Sequence, residues 1–150
     1  MSKPSWPQYF LNIAIEVSKR SPDVHTKCGC VLTNKKNRII GTGYNGFPGG
    51  INDELMPLDR PGKYPYIFHS EEQAILNKTS GKIYNAYITG EPCSRCLMRL
   101  YIAGTKNIYW INYSKPKMLD EKDREVKDLF LKAVPKWRLE TVDDITRLQF

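Results

Sequence analysis

Apolar residues recur along the chain with two different periods, and each period predicts a different kind of element. An apolar spacing of i, i+3, i+4 and i+7 predicts a first helix that starts after Pro7 and ends near Ser21 and Pro22. The residues on that face are Phe10, Ile13, Ala14 and Val17. Short runs rich in Ile, Val, Leu and Cys at 28–33 and 38–44, joined by polar residues 34–37, predict a β-hairpin.

A long irregular segment follows the predicted hairpin. It begins with Gly41, Gly43 and Gly46 and continues past several prolines, so it predicts a loop rather than a helix or strand. An irregular stretch of this length inside a compact domain is usually functional. The segment 70–78 then lacks Gly and Pro and carries acidic residues early, which predicts a helix with His69 at its N-terminus.

Predicted strands and helices alternate through the rest of the chain. We expect a strand at 86–89, a helix at 94–103 closed by Gly104, and a strand at 107–113. A further helix follows from the helical spacing of Val126, Leu129, Phe130 and Ala133. A short strand at 137–139 and a final helical turn or two near Ile145 and Leu148 complete the prediction. The order predicts an α/β fold, a three-layer α/β/α sandwich around one mixed β-sheet.

Composition narrows the class of protein. With 150 residues, 41% hydrophobic and 26% charged, and with no repeat or linker, residues 1–150 are expected to form a single domain. The longest apolar runs are far shorter than the roughly 20 residues of a membrane span, and the first residues do not resemble a signal peptide. We therefore expect a cytoplasmic protein, in which the 4 cysteines are reduced, metal-bound or buried.

The net charge of +7 suits an anionic partner, but its distribution limits which one. Residues 1–70 carry 9 basic and 5 acidic side chains, and residues 71–150 carry 14 and 11, which gives +4 and +3. Charge spread in this way permits a phosphate-bearing small molecule. It gives little support to a long nucleic-acid groove, which usually concentrates Lys and Arg in a stripe or arm.

Two short motifs carry the candidate chemistry, His69-Ser70-Glu71 and Pro92-Cys93-Ser94-Arg95-Cys96. Two thiolates from one helical turn can reach the same ion, and the neutral imidazole of His69 supplies a third ligand that suits zinc. Three protein ligands leave a fourth position open, as in catalytic zinc sites. Glu71 would then move protons from the attacking water to a ring nitrogen and on to a leaving amine.

The order His-x-Glu, a gap, then Pro-Cys-x-x-Cys is typical of zinc deaminases. Two other interpretations of the Cys-x-x-Cys pair stay open at this point. It could be a redox pair, or half of a closed structural zinc site that Cys28 and Cys30 complete. Because Cys28 and Cys30 lie two apart on a predicted strand, on the same side as Leu32, we favour packing in the core for both.

Four segments resemble the cytidine and deoxycytidylate deaminase superfamily, and within it most closely the deoxycytidylate (dCMP) deaminases. They are 20–23 with 28–30, the glycine loop 43–50, the segment 64–75, and 92–96. The resemblance extends from Arg20 to about Tyr113 and implies a cytidine deaminase-like fold. Ser70 stands where the family usually has Ala, Gln73 where Asn is common, and Glu72 adds a second carboxylate, so the substrate preference could shift toward dCTP.

The resemblance implies hydrolytic deamination of dCMP to dUMP and ammonia, with one catalytic zinc ion per chain. His69, Cys93 and Cys96 would bind the zinc, and Glu71 would be the catalytic proton carrier. Asn45 would hold the sugar, since its amide both donates and accepts; the alternative is a turn residue with a left-handed backbone. The candidates for phosphate binding flank the predicted strands at the edge where ligands bind in such folds; they are Arg20, Lys27 and Tyr113.

The resemblance also implies partners. Relatives form homo-oligomers, often hexamers, and respond to dCTP and dTTP through the loop 43–50. Two other functions are weighed beside dCMP deamination. One is deamination of a base in single-stranded RNA or DNA, which the even charge and the glycine loop disfavour. The other is a non-catalytic, zinc-stabilised regulatory subunit, which has no need of Glu71. Some relatives hold a second, structural zinc ion with other cysteines, and those cysteines are absent from this sequence. His25 is expected to be exposed.

Overall fold

The computed structural model describes residues 2–113 and 120–150. Four α-helices occupy Trp6–Ser18 (α1), Ser70–Asn77 (α2), Ser94–Ile102 (α3) and Glu121–Ala133 (α4). Six strands occupy Gly29–Thr33 (β1), Ile39–Tyr44 (β2), Asn85–Ile88 (β3), Asn107–Ile111 (β4), Arg138–Val142 (β5) and Ile145–Gln149 (β6). One turn of 3₁₀-helix, Asp53–Leu55, interrupts the long loop between β2 and α2. None of the helices in the described ranges combines the length and hydropathy of a membrane span.

The strands form one mixed sheet in the order β2-β1-β3-β4-β6-β5. β1 pairs antiparallel with both β2 and β3, and β6 pairs antiparallel with both β4 and β5. The central pair, β3 and β4, is parallel, so its connection must cross over the sheet, and α3 makes that crossing. The carboxyl end of β3 therefore leads directly into the second candidate metal motif at the start of α3.

Two apolar cores lie on opposite faces of the sheet and define three layers. On one face, Phe10, Leu11 and Ala14 of α1 pack against Val31 and Tyr87 of the sheet. On the other face the helices α2, α3 and α4 cover a larger core, which includes Cys30, Leu32, Ala74, Leu97, Leu100 and Ile108. Neighbouring strand residues alternate between the two cores because side chains in a strand alternate between faces. The predicted α/β/α sandwich with one mixed sheet is confirmed.

Most predicted elements are present, but two differ from the prediction. The first helix begins at Trp6, one residue before Pro7, because Pro is tolerated in the first turn and Ser5 accepts a hydrogen bond from the Gln8 N–H. The final helical turn is wrong, since Ile145 and Leu148 belong to β6. Asp143 and Asp144 connect β5 to β6 in a tight hairpin, with Asp143 in the left-handed region.

Two glycines allow helices to lie directly on the sheet. A Cβ atom at Gly29 would stand 2.0 Å from the carbonyl oxygen of Ala14 in α1. A Cβ atom at Gly43 would stand 2.3 Å from the carbonyl oxygen of Ser70 and 2.4 Å from the amide nitrogen of Ala74. Backbone atoms cannot move aside as side chains can, so only glycine fits at these two positions. Gly43 thereby places the first turn of α2 against β2.

Candidate active site

Both candidate metal motifs lie at helix N-termini. His69 is the N-cap residue of α2, and Cys93 is the N-cap residue of α3, with Cys96 one turn further along α3. Free backbone N–H groups and the positive end of the helix dipole favour thiolate over thiol at such positions. The structure thus confirms that each motif begins a helix.

The three predicted ligands lie close enough to hold one ion. The Nδ1 atom of His69 is 3.5 Å from the Sγ atom of Cys93 and 3.4 Å from that of Cys96. All three ligand atoms lie within 4.8 Å of one another. Tetrahedral zinc with ordinary Zn–N and Zn–S bond lengths places neighbouring N and S ligands about 3.6 Å apart. His69, Cys93 and Cys96 therefore fit a zinc ion, with His69 binding through Nδ1.

The protonation of the cluster matches a cation site. The hydrogen bond from Cys96 lowers the pKa of Cys93 to about 4, and the same bond, together with burial, raises the pKa of Cys96. The pKa of His69 is raised, first by its hydrogen bond with Cys93 and further by the charges of Cys93, Glu71 and Glu72, although burial opposes this. The negative charges of Cys93, Glu71 and Glu72 therefore favour a cation at this position, and zinc binding would displace the protons of His69 and Cys96.

Glu71 lies in the first turn of α2 and is 5% exposed. The hydroxyl of Ser70, which is fully buried, donates a hydrogen bond to the Oε1 atom of Glu71. The next residue, Glu72, faces elsewhere: its Oε1 atom accepts from the His69 N–H at 3.2 Å, and its other oxygen is 3.6 Å from Arg99. The second carboxylate is therefore used to hold the helix start, while Glu71 is the acidic side chain of this motif in the pocket.

The metal cluster and Glu71 line a pocket of about 290 Å³, close to the lower limit of about 300 Å³ for small-molecule sites. Asn45 from the glycine loop, Gly90 after β3 and the segment 60–67 form its other walls. Of the predicted site residues, the structure brings His69, Glu71, Cys93 and Asn45 together at this pocket, with Cys96 buried behind it. The long loop between β2 and α2 thus supplies a wall of the site.

Asn45 is largely committed to contacts within the protein. Its Oδ1 atom accepts from the Cys28 N–H at 2.8 Å, and its Nδ2 atom donates to the Thr26 carbonyl at 2.8 Å and to Asp23 at 3.5 Å. The alternative of a left-handed turn residue is wrong, because Asn45 is absent from the described residues with positive φ. A carbonyl oxygen has two lone pairs, so Oδ1 retains one for a ligand hydroxyl.

Several polar residues of the pocket were not predicted from the sequence, among them Asp23, Arg60 and Lys63. Lys63 is 3% exposed, and its Nζ atom is 2.6 Å from the Oδ2 atom of Asp23. Burial alone would raise the pKa of Asp23, but hydrogen bonds from Lys63 and from the His25 and Thr26 N–H groups lower it. Arg60 is exposed at the pocket wall, where its Nη2 atom donates to Thr26 Oγ1 at 3.3 Å. The only signal for Arg60 and Lys63 was their place in a long loop, whereas Asp23 stands in the segment 20–23 that resembles the family.

The three residues predicted to bind phosphate lie elsewhere or at the margin. Arg20 and Lys27 are exposed and do not line the pocket, and the Lys27 Nζ atom donates to the Ser21 carbonyl. Gly90 lines the pocket, and a Cβ atom added to it would stand 3.6 Å from the ring of Tyr113. Their roles in binding phosphate stay predictions.

Cys28 and Cys30 stand apart from the metal cluster. Cys30 is fully buried in the core beneath α2, and burial raises the pKa of its thiol. The expected core packing is wrong for Cys28, which precedes β1 and is half-buried in the lining of the pocket. Within the described ranges, the cluster of potential metal ligands comprises His69, Cys93 and Cys96, so neither cysteine completes a closed structural site there. His25 is exposed, as expected.

The fold and the site together define a class: an α/β/α sandwich with a three-ligand zinc site and an adjacent carboxylate, as in zinc-dependent deaminases. Residues 4–112 match the model of the cytidine and deoxycytidylate deaminase zinc-binding region. The chain belongs to this family.

Comparison with individual proteins agrees with this family assignment. Deoxycytidylate deaminase of Mus musculus is 36% identical over 115 residues, which are 71% of this chain and 65% of the mouse protein. The chain therefore spans somewhat less than two thirds of the length of this curated relative. Deoxycytidylate deaminase of Mycobacterium phage D29 is 31% identical over 73% of this chain and 97% of the phage protein. The dCMP deaminase of cyanophage S-TIM5, solved with dCMP and dUMP, shares the fold, with a TM-score of 0.68 at 24% identity over 86% of this chain and 94% of that chain.

Proposed function

We propose that this protein deaminates dCMP hydrolytically to dUMP and ammonia, and thereby supplies a precursor of thymidine nucleotides. The observation that carries the proposal is one pocket that contains a zinc-binding cluster, the Glu71 carboxylate and the Arg60 guanidinium. The first two suit the deamination of a base, and the third suits a phosphate. The two deoxycytidylate deaminases described above, from mouse and from a phage, support the same substrate.

The reaction replaces the C4–N4 bond of cytosine with a C4–O bond. His69, Cys93 and Cys96 would hold a zinc ion, which would supply an activated water at its fourth position. The Glu71 carboxylate takes a proton from the attacking water, gives it to the ring nitrogen N3, and carries the second proton to the departing amine. Ser70 donates to one oxygen of this carboxylate and leaves the other for the proton transfer. The balance is dCMP and water to dUMP and ammonia.

The chain's own side chains would orient the nucleotide. Asn45 presents the remaining lone pair of its Oδ1 atom to a sugar hydroxyl. Lys63 is already paired with Asp23, so its charge is largely neutralised. Arg60 forms no ion pair within the described residues, and it is the pocket cation available to a phosphate. A guanidinium can bind two phosphate oxygens at once, which favours Arg60 as the phosphate ligand.

Ammonia release from the zinc-loaded protein tests the proposal. Four substrates are compared under the same conditions: dCMP, deoxycytidine, dCTP and a cytosine-containing oligonucleotide. Preference for dCMP is the expected result. Activity only on dCTP or only on the oligonucleotide would retain the deaminase chemistry and overturn the substrate. No ammonia from any of the four, with and without added dCTP as an activator, would favour the non-catalytic regulatory subunit.

An Arg60→Ala variant separates phosphate recognition from chemistry. Loss of a charge-assisted hydrogen bond of about 1.5–3 kcal/mol corresponds to a rise of about 10- to 100-fold in KM for dCMP. The same variant should deaminate deoxycytidine at the unchanged rate, because that substrate has no phosphate. Arg38→Ala, which removes an exposed arginine at the β1–β2 hairpin, is the matched control. An equal loss on both substrates would show that Arg60 does not bind the phosphate.

The remaining expectations concern assembly, regulation and location. Leu76 of α2 is 72% exposed and Ile102 of α3 is 84% exposed, which supports burial against other copies of the chain in a homo-oligomer, with a hexamer favoured. A cavity of about 670 Å³ between β2, α2 and the glycine loop supports binding of a dCTP or dTTP effector there. Sedimentation with and without dCTP tests both the assembly and its response to this effector.

Because its nucleotide substrate is charged and does not cross membranes unaided, we place the enzyme in the cytoplasm.

A further inference from the structure

The backbone turn that carries Cys93 is held by α4, a helix beyond the residues that match the family. The carboxylate of Asp123 in α4 accepts the Ser94 N–H at 3.0 Å through Oδ1 and at 3.3 Å through Oδ2. The hydroxyl of Ser94 donates to the same Oδ1 atom at 2.7 Å. Ser94 directly follows the metal ligand Cys93, so Asp123 fixes the chain on one side of that ligand.

Lys127, one helical turn after Asp123, holds the other side of the same turn. Its Nζ atom donates to the carbonyl oxygen of Pro92, the residue before Cys93, and to Glu91 Oε1 at 3.1 Å. Lys127 is 6% exposed. Residues four apart on a helix share one face, so α4 presents both groups to the turn together. The main chain on both sides of Cys93 is therefore bonded to α4.

The geometry of the helix start explains why α3 gains from this outside support. The first N–H groups of a helix have no partner within it, and an N-cap side chain accepts only from the second or third helical residue. In α3 the N-cap residue is Cys93, so the cap position cannot satisfy the N–H of Ser94, the first helical residue. The carboxylate of Asp123 in α4 satisfies this N–H instead.

A buried lysine is costly, which indicates that Lys127 has a specific task. Removal of an ammonium group from water is unfavourable unless it gains both a counter-charge and hydrogen bonds. Lys127 has both, from Glu91 and from the Pro92 carbonyl. Solubility does not explain a lysine in this position. Its contacts point to the backbone of the metal-binding turn.

We propose that Asp123 and Lys127 are positioning residues that hold the Cys93 turn in the geometry that zinc requires. The inference rests on the zinc site that the proposed function also uses, but it does not depend on the identity of the substrate. Without α4 the turn would have to be ordered by the ion itself. Zinc would then bind less tightly, since part of its binding free energy would be spent on ordering the chain.

The affinity for zinc, measured with the metal alone by competition against a chelator, tests this inference. We expect Asp123→Ala and Lys127→Met each to weaken zinc binding by about 10- to 100-fold, the usual effect of losing groups that support a ligand. Asp123→Asn keeps an oxygen that can accept from Ser94 and should restore most of the affinity. Asp128→Ala and Lys132→Met change the same residue types at exposed positions of α4, and they should bind zinc within about twofold of the unchanged protein.

A purely structural role predicts a different pattern. In that case the variants would unfold at lower temperature but bind zinc as tightly as the unchanged protein at 25 °C, and that result would overturn the inference. The absorption spectrum of the cobalt-substituted protein provides a second readout, because its thiolate bands report the Cys93 geometry. If Lys127→Met does not fold, the Asp123→Ala and Asp123→Asn pair decides alone. If the unchanged, zinc-loaded protein did not deaminate dCMP while the variants bound zinc more weakly than it does, the proposed function would be overturned and this inference would remain intact.

Discussion

The two halves of the metal site are supported in opposite ways. At the first half, at the start of α2, the side-chain hydrogen bonds come from the motif's own neighbours: Glu72 accepts from the His69 N–H, and Ser70 donates to Glu71. The second half, at the start of α3, is held by Asp123 and Lys127, which follow about 30 residues later. Local support forms together with the helix. Distant support forms only once α4 has packed, so the two ligand sets depend on different parts of the fold.

The largest effect should come from substitutions in the two motifs themselves. Glu71→Gln should keep the zinc and lower kcat by about 10²- to 10⁴-fold, because an amide cannot carry the proton. Cys96→Ala should lose both zinc and turnover, because two ligands do not hold the ion. Metal content and ammonia release are measured on the same samples. A Glu71→Gln enzyme with a near-normal rate would remove the proposed mechanism.

A second prediction concerns an ion pair near the first half of the site whose two residues are far apart in the sequence. Lys63, six residues before His69, pairs with Asp23, which precedes β1. Asp23→Asn leaves a buried ammonium group without its counter-charge and should lower the free energy of unfolding by about 3–5 kcal/mol at pH 7. Urea denaturation measures this. A loss below about 1 kcal/mol would show that the pair behaves like an exposed one.

The pH dependence of that loss gives an internal control. The folded protein lowers the pKa of Asp23 below 3.8, so the pair contributes its full stability above the pKa of the unfolded chain, about 3.9. The contribution is lost as the pH falls through the lower pKa of the folded state. The difference in unfolding free energy between the unchanged protein and Asp23→Asn should therefore narrow below about pH 4. A difference that stays constant down to pH 2 would contradict the assignment.

The smallest effect is expected at Glu72. Glu72→Ala removes the acceptor for the His69 N–H and a partly exposed ion pair with Arg99, which together should cost about 1 kcal/mol or less. Zinc affinity should change by no more than about twofold, since Gly43 and the core still hold α2. If Glu72→Ala weakened zinc as strongly as Asp123→Ala, the difference between the two halves would not exist.

The same difference explains what the sequence could predict. Local geometry brings Cys93 close to Cys96, because one helical turn separates them, and keeps Glu71 beside His69. That the two motifs meet at one site followed from their match to the pattern of zinc deaminases, and the structure confirms it for His69, Cys93 and Cys96. The supporting residues Asp123 and Lys127 belong to no short motif, because their partners lie 29 and 35 positions away. Arg60 and Lys63 reach the pocket from an irregular loop, whose path no periodicity determines.

The error at the C-terminus has a related cause. Ile145 and Leu148 are three residues apart, a spacing that places both on one face of a helix. In β6 they face opposite sides of the sheet, and each packs against a different core, so the apolar pair gave no sign of a strand with one buried face. Pairing with β4 on one side and β5 on the other decides for the strand, and both partners are distant or were themselves predicted only as short segments. Tertiary contacts override a weak local preference in this case.

The contact of Gly43 with α2 also limits how this protein can change. The distance between β2 and the helix that carries Glu71 is set by main-chain atoms on both sides, so no side chain is present there to be enlarged or trimmed. Substitutions in the loop that carries Arg60 and Lys63 change the pocket wall without touching this main-chain contact, because the wall there consists of side chains. A mutational library aimed at a different nucleotide should vary positions 57–67 and leave Gly43 and Ser70 unchanged.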